Sequence, residues 1–126
     1  MGGLPTRAWA EVVDETYLAG LCLCAAAGNH PGPLPPRRMV YPARYDRVIG
    51  VVGIMADGRP YKDLDGMTLE GCFGPATAMA TALAAFTPNI PWAKFGCPDI
   101  VRLNGEGTSA AAPQVAAAAA LWIEKY

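Results

Sequence analysis

The stretch GTSAAAP at residues 107–113 marks the point where a glycine-rich segment turns into an alanine-rich helix. A helix start presents unpaired backbone N–H groups and the positive end of the helix dipole. A serine hydroxyl placed there can attack a carbonyl carbon while those N–H groups stabilise the oxyanion that forms. Ser109 is therefore a candidate nucleophile. The same motif also suits a purely structural serine that caps a buried helix.

A second segment ends in a side-chain amide. Residues 21–27 form a continuous apolar run that stops at Gly28-Asn29, which is typical of a buried parallel strand. Ligands gather at the carboxyl ends of parallel strands. We therefore expect Asn29 and Ser109 to meet in one cleft.

Together the two segments resemble the subtilisin family of serine proteases. Ser109, within Gly-Thr-Ser-x-Ala-x-Pro, matches the nucleophile motif of that family, and Ala26-Ala27-Gly28-Asn29 matches the motif of its oxyanion-hole asparagine. Residues 41–45 and 48–53 resemble its Tyr-Pro loop and the core strand after that loop. The similarity runs nearly end to end and is weakest over residues 57–104. Two departures are Gln114, where the family usually has histidine, and Ala117, where it often has glycine.

The resemblance implies an α/β fold: a three-layer, subtilisin-like arrangement with a mostly parallel sheet flanked by helices. Residues 1–126 would form only the C-terminal portion of such a peptidase domain. It also implies a serine endopeptidase that acts on polypeptides, with Ser109 as nucleophile and Asn29 in the oxyanion hole. The walls of the specificity pocket would come from small residues, namely Gly2, Gly3, Ala25, Ala26, Ala27 and Gly28.

The position of the single histidine bears on the catalytic triad. Subtilisins present their triad in the chain order Asp, His, Ser, but the single histidine here, His30, follows Asn29. We expect His30 to be a solvated loop residue without a catalytic role. The chain would then require an upstream segment that carries the Asp and His motifs. The alternative is a non-catalytic remnant or binding module of the same fold. A sedolisin-type acid protease is disfavoured, because that family uses an aspartate where Asn29 stands.

The composition excludes several classes of partner. A net charge of −1 gives no basis for binding nucleic acid or an anionic membrane surface. A hydrophobic content of 52% with 17% charged residues suits a chain whose apolar faces meet further protein.

No cofactor is expected. The carbonyls of Ala43, Tyr45 and Val48 match a loop that binds a weak cation in some members of the family, without an identifiable acidic partner. The resemblance alone suggests a secreted or extracytoplasmic location.

Four cysteines are present, and they do not have the spacing of a zinc site. Cys22 and Cys24 lie two apart on a predicted strand, so we expect both on one face as small buried residues. A disulfide between Cys72 and Cys97 stays open, because sequence alone does not set connectivity.

The remaining pattern predicts the order of elements. We expect an amphipathic helix over 7–19 capped by Thr6, strands over 21–26 and 48–54, and a turn at 57–60. Residues 30–39 suggest an irregular loop, 76–86 a short helix or a strand, and 104–107 a flexible approach to Ser109. Residues 109–125 are apolar on all sides, which predicts a central buried helix.

Overall fold

The computed structural model describes residues 3–31, 38–61 and 69–126. Three helices occur in these ranges: α1 (Arg7–Leu18), α2 (Ala76–Met79) and α3 (Thr108–Lys125). The strands are β1 (Leu23–Ala26), β2 (Asn29–Pro31), β3 (Val48–Ile54), β4 (Leu69–Gly71), β5 (Leu83–Phe86), β6 (Ile90–Lys94) and β7 (Cys97–Gly105).

A parallel sheet organises the fold, in the strand order β1-β3-β5. Leu23 pairs with Val48 across β1 and β3, and Val51 pairs with Leu83 across β3 and β5. The β-branched run at 48–54 is the central strand of this sheet, and its predicted bounds are confirmed. The α/β class expected from the resemblance is therefore confirmed, with two small antiparallel pairs, β2-β4 and β6-β7, beside the sheet.

The two faces of β3 pack against different layers, because successive side chains of a strand point to opposite faces. On one face, Val51 packs with Ala111 and Val115 of α3. On the other, Val52 belongs to a cluster in which Ala78 and Met79 of α2 take part. Helical residues thus lie on both faces, and α3 sits directly against the sheet.

Gly50 provides a test of how tightly this second face is packed. A Cβ atom at Gly50 would lie 2.7 Å from the carbonyl oxygen of Ala43 and closer still to the Cε of Met39. Overpacking of this kind costs about 1–3 kcal/mol. We therefore expect Gly50→Ala to lower the free energy of unfolding by that amount, as measured by denaturant titration. Gly71→Ala is the matched control, since its nearest contacts would be an ordinary 3.5 Å; equal losses in both variants would contradict this packing.

Helix α1 begins as predicted, with the hydroxyl of Thr6 accepting a hydrogen bond from the backbone N–H of Trp9 at 3.2 Å. Its predicted apolar face is only partly covered. Val13 is buried, whereas Trp9, Val12 and Tyr17 are each more than half exposed. The reason is that α1 meets the sheet at its edge strand, β1, instead of lying across it.

Helix α3 differs most from expectation. Only Thr108, Ala111 and Val115 are buried, and the side chains of Leu121, Trp122 and Ile123 are exposed by 60% or more. One side of α3 lies on the three-stranded sheet, and no other described element covers the opposite side. None of the helices in the described ranges is long and apolar enough to cross a membrane.

Several local predictions need correction. The segment 30–39 is not an irregular loop at its start, because β2 pairs with the distant β4, with Asn29 opposite Gly71; residues 32–37 lie outside the described ranges. Asn104 and Gly105 end strand β7 instead of forming a flexible approach. Cys22 is exposed and precedes β1, which begins at Leu23. The segment 76–86 holds both a short helix and a strand, while the turn at 57–60 is confirmed.

Candidate active site

The carboxyl end of β1 lies beside the start of α3. The chain leaves β1 at Ala26 and reaches Asn29, whose side-chain Oδ1 accepts a hydrogen bond from the backbone N–H of Thr108 at 3.0 Å. The hydroxyl of Thr108 donates to the same oxygen at 3.2 Å. The two segments singled out in the sequence therefore meet, and the contact is made by the residue that precedes Ser109.

These hydrogen bonds fix the orientation of the Asn29 amide. A backbone N–H can only donate, so the oxygen of the side chain must face Thr108. The Nδ2 group, with its two N–H donors, consequently points away from that contact. Asn29 as a whole residue is exposed.

Gly107 adopts a conformation that other residues avoid. Its φ of 74° and ψ of 173° fall in a region that is almost restricted to glycine. A Cβ atom there would also lie 2.6 Å from Nδ2 of Asn29. The glycine before Thr108 therefore serves two purposes: it allows the turn into α3, and it leaves room for the amide.

Ser109 occupies the second position of α3 and is exposed. Within the described ranges, neither its hydroxyl nor its backbone N–H has a hydrogen-bond partner. An unpaired N–H is expected in the first turn of a helix. The site thus brings together an exposed serine with an unpaired backbone N–H and the nearby Nδ2 group of Asn29.

Gln114 connects the first turns of α3 to the sheet, a contact that sequence reasoning missed. Its Nε2 donates to the carbonyl of Phe86 at the end of β5 (2.9 Å) and to the carbonyl of Ala110 (2.8 Å). The sequence feature that could have indicated this contact was a long polar side chain, Gln114, about one helical turn after Ser109. Gln114 ties the helix segment around Ser109 to the carboxyl edge of the sheet.

Backbone hydrogen bonds connect the segments that carry the small residues proposed as pocket walls. The backbone N–H of Val40 donates to Ala27 (2.9 Å), and the backbone N–H of Gly3 donates to Tyr41 (3.1 Å). Residues 40–41 therefore join Gly3 to the strand end that carries Ala27 and Gly28. Ala25 and Ala26 are half-buried on β1, and Gly2 lies outside the described residues.

Cys72 supports the loop that presents Asn29. Its backbone N–H donates to the carbonyl of Gly28 at 2.8 Å, and its side chain is 5% exposed. Burial raises the pKa of the Cys72 thiol, so the side chain acts as a small neutral residue at physiological pH. Cys72 and Cys97 are both free thiols in this structure.

His30 lies in a strand and not in the solvated loop that the sequence suggested. It occupies the middle of β2, opposite Glu70 of β4, and is half-buried. No group of three or more metal-ligating side chains occurs in the part of the chain that the structure describes. No described side chain, His30 included, hydrogen-bonds to the hydroxyl of Ser109.

The hydroxyl of Thr108 is predicted to stabilise this arrangement. Thr108 is fully buried, and its Oγ1 also accepts a hydrogen bond from the backbone N–H of Gly28 at 3.0 Å. Thr108→Val keeps the shape but leaves that N–H unsatisfied, which costs about 1–3 kcal/mol. We expect Thr108→Ser, which keeps the hydroxyl, to be the more stable variant in thermal or denaturant unfolding. A valine variant at least as stable as the serine variant would contradict the role of the hydroxyl.

Comparison with known proteins places this chain in a family. The model of the subtilase family matches residues 3–126. The chain is 31% identical over 117 residues to subtilisin DY of Bacillus licheniformis, an alignment that covers 92% of this chain and 37% of the relative. The chain thus spans little more than a third of the length of that relative.

Proposed function

The chain belongs to the subtilase family, and we propose that it forms the C-terminal part of a serine endopeptidase catalytic domain. In this proposal Ser109 is the nucleophile and Asn29 an oxyanion-hole donor. The supporting observation is the pair of hydrogen bonds from Thr108 to Asn29 Oδ1. They hold the Nδ2 group beside the start of the helix that presents Ser109.

The reaction would proceed by acyl transfer. The Oγ of Ser109 attacks the carbonyl carbon of the scissile peptide bond, and its proton passes to a general base. The carbonyl oxygen becomes an oxyanion that accepts hydrogen bonds from Asn29 Nδ2 and from the backbone N–H of Ser109. Collapse of this intermediate breaks the C–N bond, and the base returns the proton to the leaving amine. Water then hydrolyses the acyl-enzyme with the same base.

The general base would come from sequence N-terminal to this chain. The single histidine of the chain lies on β2 after Asn29, whereas the family order places Asp and His before that point. We propose an upstream segment that carries both residues and packs with the present one. Polypeptide would be the substrate, and Gly2, Gly3 and residues 25–28 would line the specificity pocket. Small walls favour large apolar substrate side chains.

A second candidate is a non-catalytic member of the same fold, a remnant or binding module, favoured by the lack of any hydrogen-bond partner for the Ser109 hydroxyl among the described residues. Peptide cleavage discriminates between the two. The chain should be inert by itself and active when it is expressed together with the upstream coding sequence. Inactivity of the longer, folded protein toward unstructured polypeptides would favour the non-catalytic candidate.

A further inference from the structure

Residues 40–41 connect the two sides of the specificity pocket proposed above. The backbone N–H of Val40 donates to the carbonyl of Ala27 at 2.9 Å, and the carbonyl of Tyr41 accepts from the backbone N–H of Gly3 at 3.1 Å. Gly3 and Tyr41 also form an antiparallel bridge. Each proposed wall is thus bonded to this segment, which serves as the floor where a substrate side chain entering between the walls would end.

The side chain of Val40 lies against the glycine of one wall. A Cβ atom at Gly28 would lie 2.9 Å from Cγ2 of Val40 and 3.3 Å from its Cγ1. Val40 is half-buried, whereas the preceding residue, Met39, is buried in the core cluster. The isopropyl group of Val40 therefore fills the space beside Gly28 and remains partly exposed.

The ring of Tyr41, the other floor residue, is engaged in a different contact. It packs against the ring of Tyr45, with the two centroids 4.7 Å apart, and the guanidinium carbon of Arg44 lies 5.1 Å from its centroid. Val40 is therefore the floor residue whose side chain lies beside the wall at Gly28.

Gly28 connects this floor with the reactive groups. It directly precedes Asn29, and its backbone N–H donates to Oγ1 of Thr108 at 3.0 Å. Its φ of 100° is a conformation that favours glycine, so this wall carries no side chain of its own. The space beside Asn29 is consequently limited by the side chain at position 40.

We propose that Val40 restricts the pocket to small, uncharged side chains, so that cleavage follows alanine-like residues and not large apolar ones. This inference rests on the proposed function, which supplies the positions of the walls. Small walls by themselves favour large side chains, but the isopropyl group occupies the depth that such side chains need, and overpacking is unfavourable. An apolar floor also offers no partner to a charged side chain, whose burial is then costly.

Peptide substrates that differ only in the residue before the scissile bond test this inference in the folded protein that includes the upstream segment. We expect a higher kcat/KM for the alanine peptide than for the phenylalanine peptide. Val40→Gly should shift this ratio toward phenylalanine by about 10–200-fold, the range known for a change of one methylene in an apolar pocket. Val40→Ala should shift it by a smaller factor.

Val40→Thr is the matched control, because threonine has nearly the shape of valine, and it should keep the parental ratio. The ratio compares two substrates of one sample, so a lower fraction of folded protein in a variant does not change it. A ratio that is unchanged in Val40→Gly, or that shifts equally in Val40→Thr, would overturn the inference. A parent protein that prefers phenylalanine would overturn it as well.

Binding of the same peptides to the Ser109→Ala variant of that protein gives a readout that requires no catalysis. Fluorescence anisotropy should show the same preference for the alanine peptide and its loss on adding Val40→Gly. Binding of neither peptide would overturn the inference. If the parent protein cleaved neither peptide while this binding preference persisted, the protease proposal would fail and the role of Val40 would stand.

Discussion

Ser109→Ala, made in the longer protein that supplies Asp and His, should lower kcat by about 10⁶-fold, the loss known from removal of the nucleophile in subtilisin itself. The free energy of unfolding should stay nearly unchanged. Ser109 is exposed, and its hydroxyl has no hydrogen-bond partner among the described residues, so its removal breaks no hydrogen bond to them. Steady-state cleavage of a peptide substrate and denaturant unfolding, measured side by side, check both parts.

Thr108→Ser is the matched control for this substitution. It changes the adjacent residue, keeps the hydroxyl that bonds to Asn29, and should keep most of the activity. A Ser109→Ala variant that retains more than a small fraction of the activity would identify another nucleophile. An equal loss in both variants would indicate that the segment is sensitive to any change, and Ser109 would then have no distinct role.

Comparing two substitutions of Asn29 should distinguish its structural role from its catalytic role. Asn29→Asp keeps an oxygen that can accept both hydrogen bonds from Thr108, but it replaces the Nδ2 donor with an anionic oxygen. We expect stability close to that of the parent protein at neutral pH. We expect kcat to fall by about 10²–10³-fold or more, the magnitude known for this donor in subtilisin, with little change in KM.

Asn29→Leu removes both functions. It should lose a comparable factor in kcat, and it should also lower the free energy of unfolding by about 1–3 kcal/mol, because Thr108 then has a buried N–H without an acceptor. The comparison uses the same kinetic and unfolding measurements for both variants. If Asn29→Asp kept full activity, the amide of Asn29 would not be an oxyanion donor.

The central strand and the cap of the first helix could be predicted from sequence because both depend on local signals. The apolar run at 48–54 has no polar interruption, and Thr6 stands at the start of an amphipathic pattern. The meeting of Asn29 with the 107–109 segment was predictable for a different reason. Asn29 follows the parallel strand β1, at the sheet edge where ligands gather, whereas the 107–109 segment follows β7 of the antiparallel hairpin, and its place beside Asn29 was expected from the family resemblance.

The errors share a physical cause, which is dependence on distant partners. The strand at Asn29–Pro31 exists because of pairing with Leu69–Gly71, and no feature of residues 29–31 encodes that partner. No strand was predicted for β6 or β7, which pair with each other. Burial of α3 was overestimated, because an apolar composition indicates what a helix can contact and not what is present to cover it. The contacts of Gln114 were missed because its two carbonyl acceptors are set by the tertiary fold.

Covalent labelling with a fluorophosphonate tests the assignment of Ser109 most directly. The reagent reacts with a serine only when a base activates the hydroxyl and donors stabilise the phosphoryl oxygen. In the folded protein that includes the upstream segment, we expect a single adduct, mapped by peptide mass spectrometry to Ser109 and absent after heat denaturation. A folded protein that gives no adduct, or an adduct on a different serine or threonine, would contradict the assignment of this site to proteolysis.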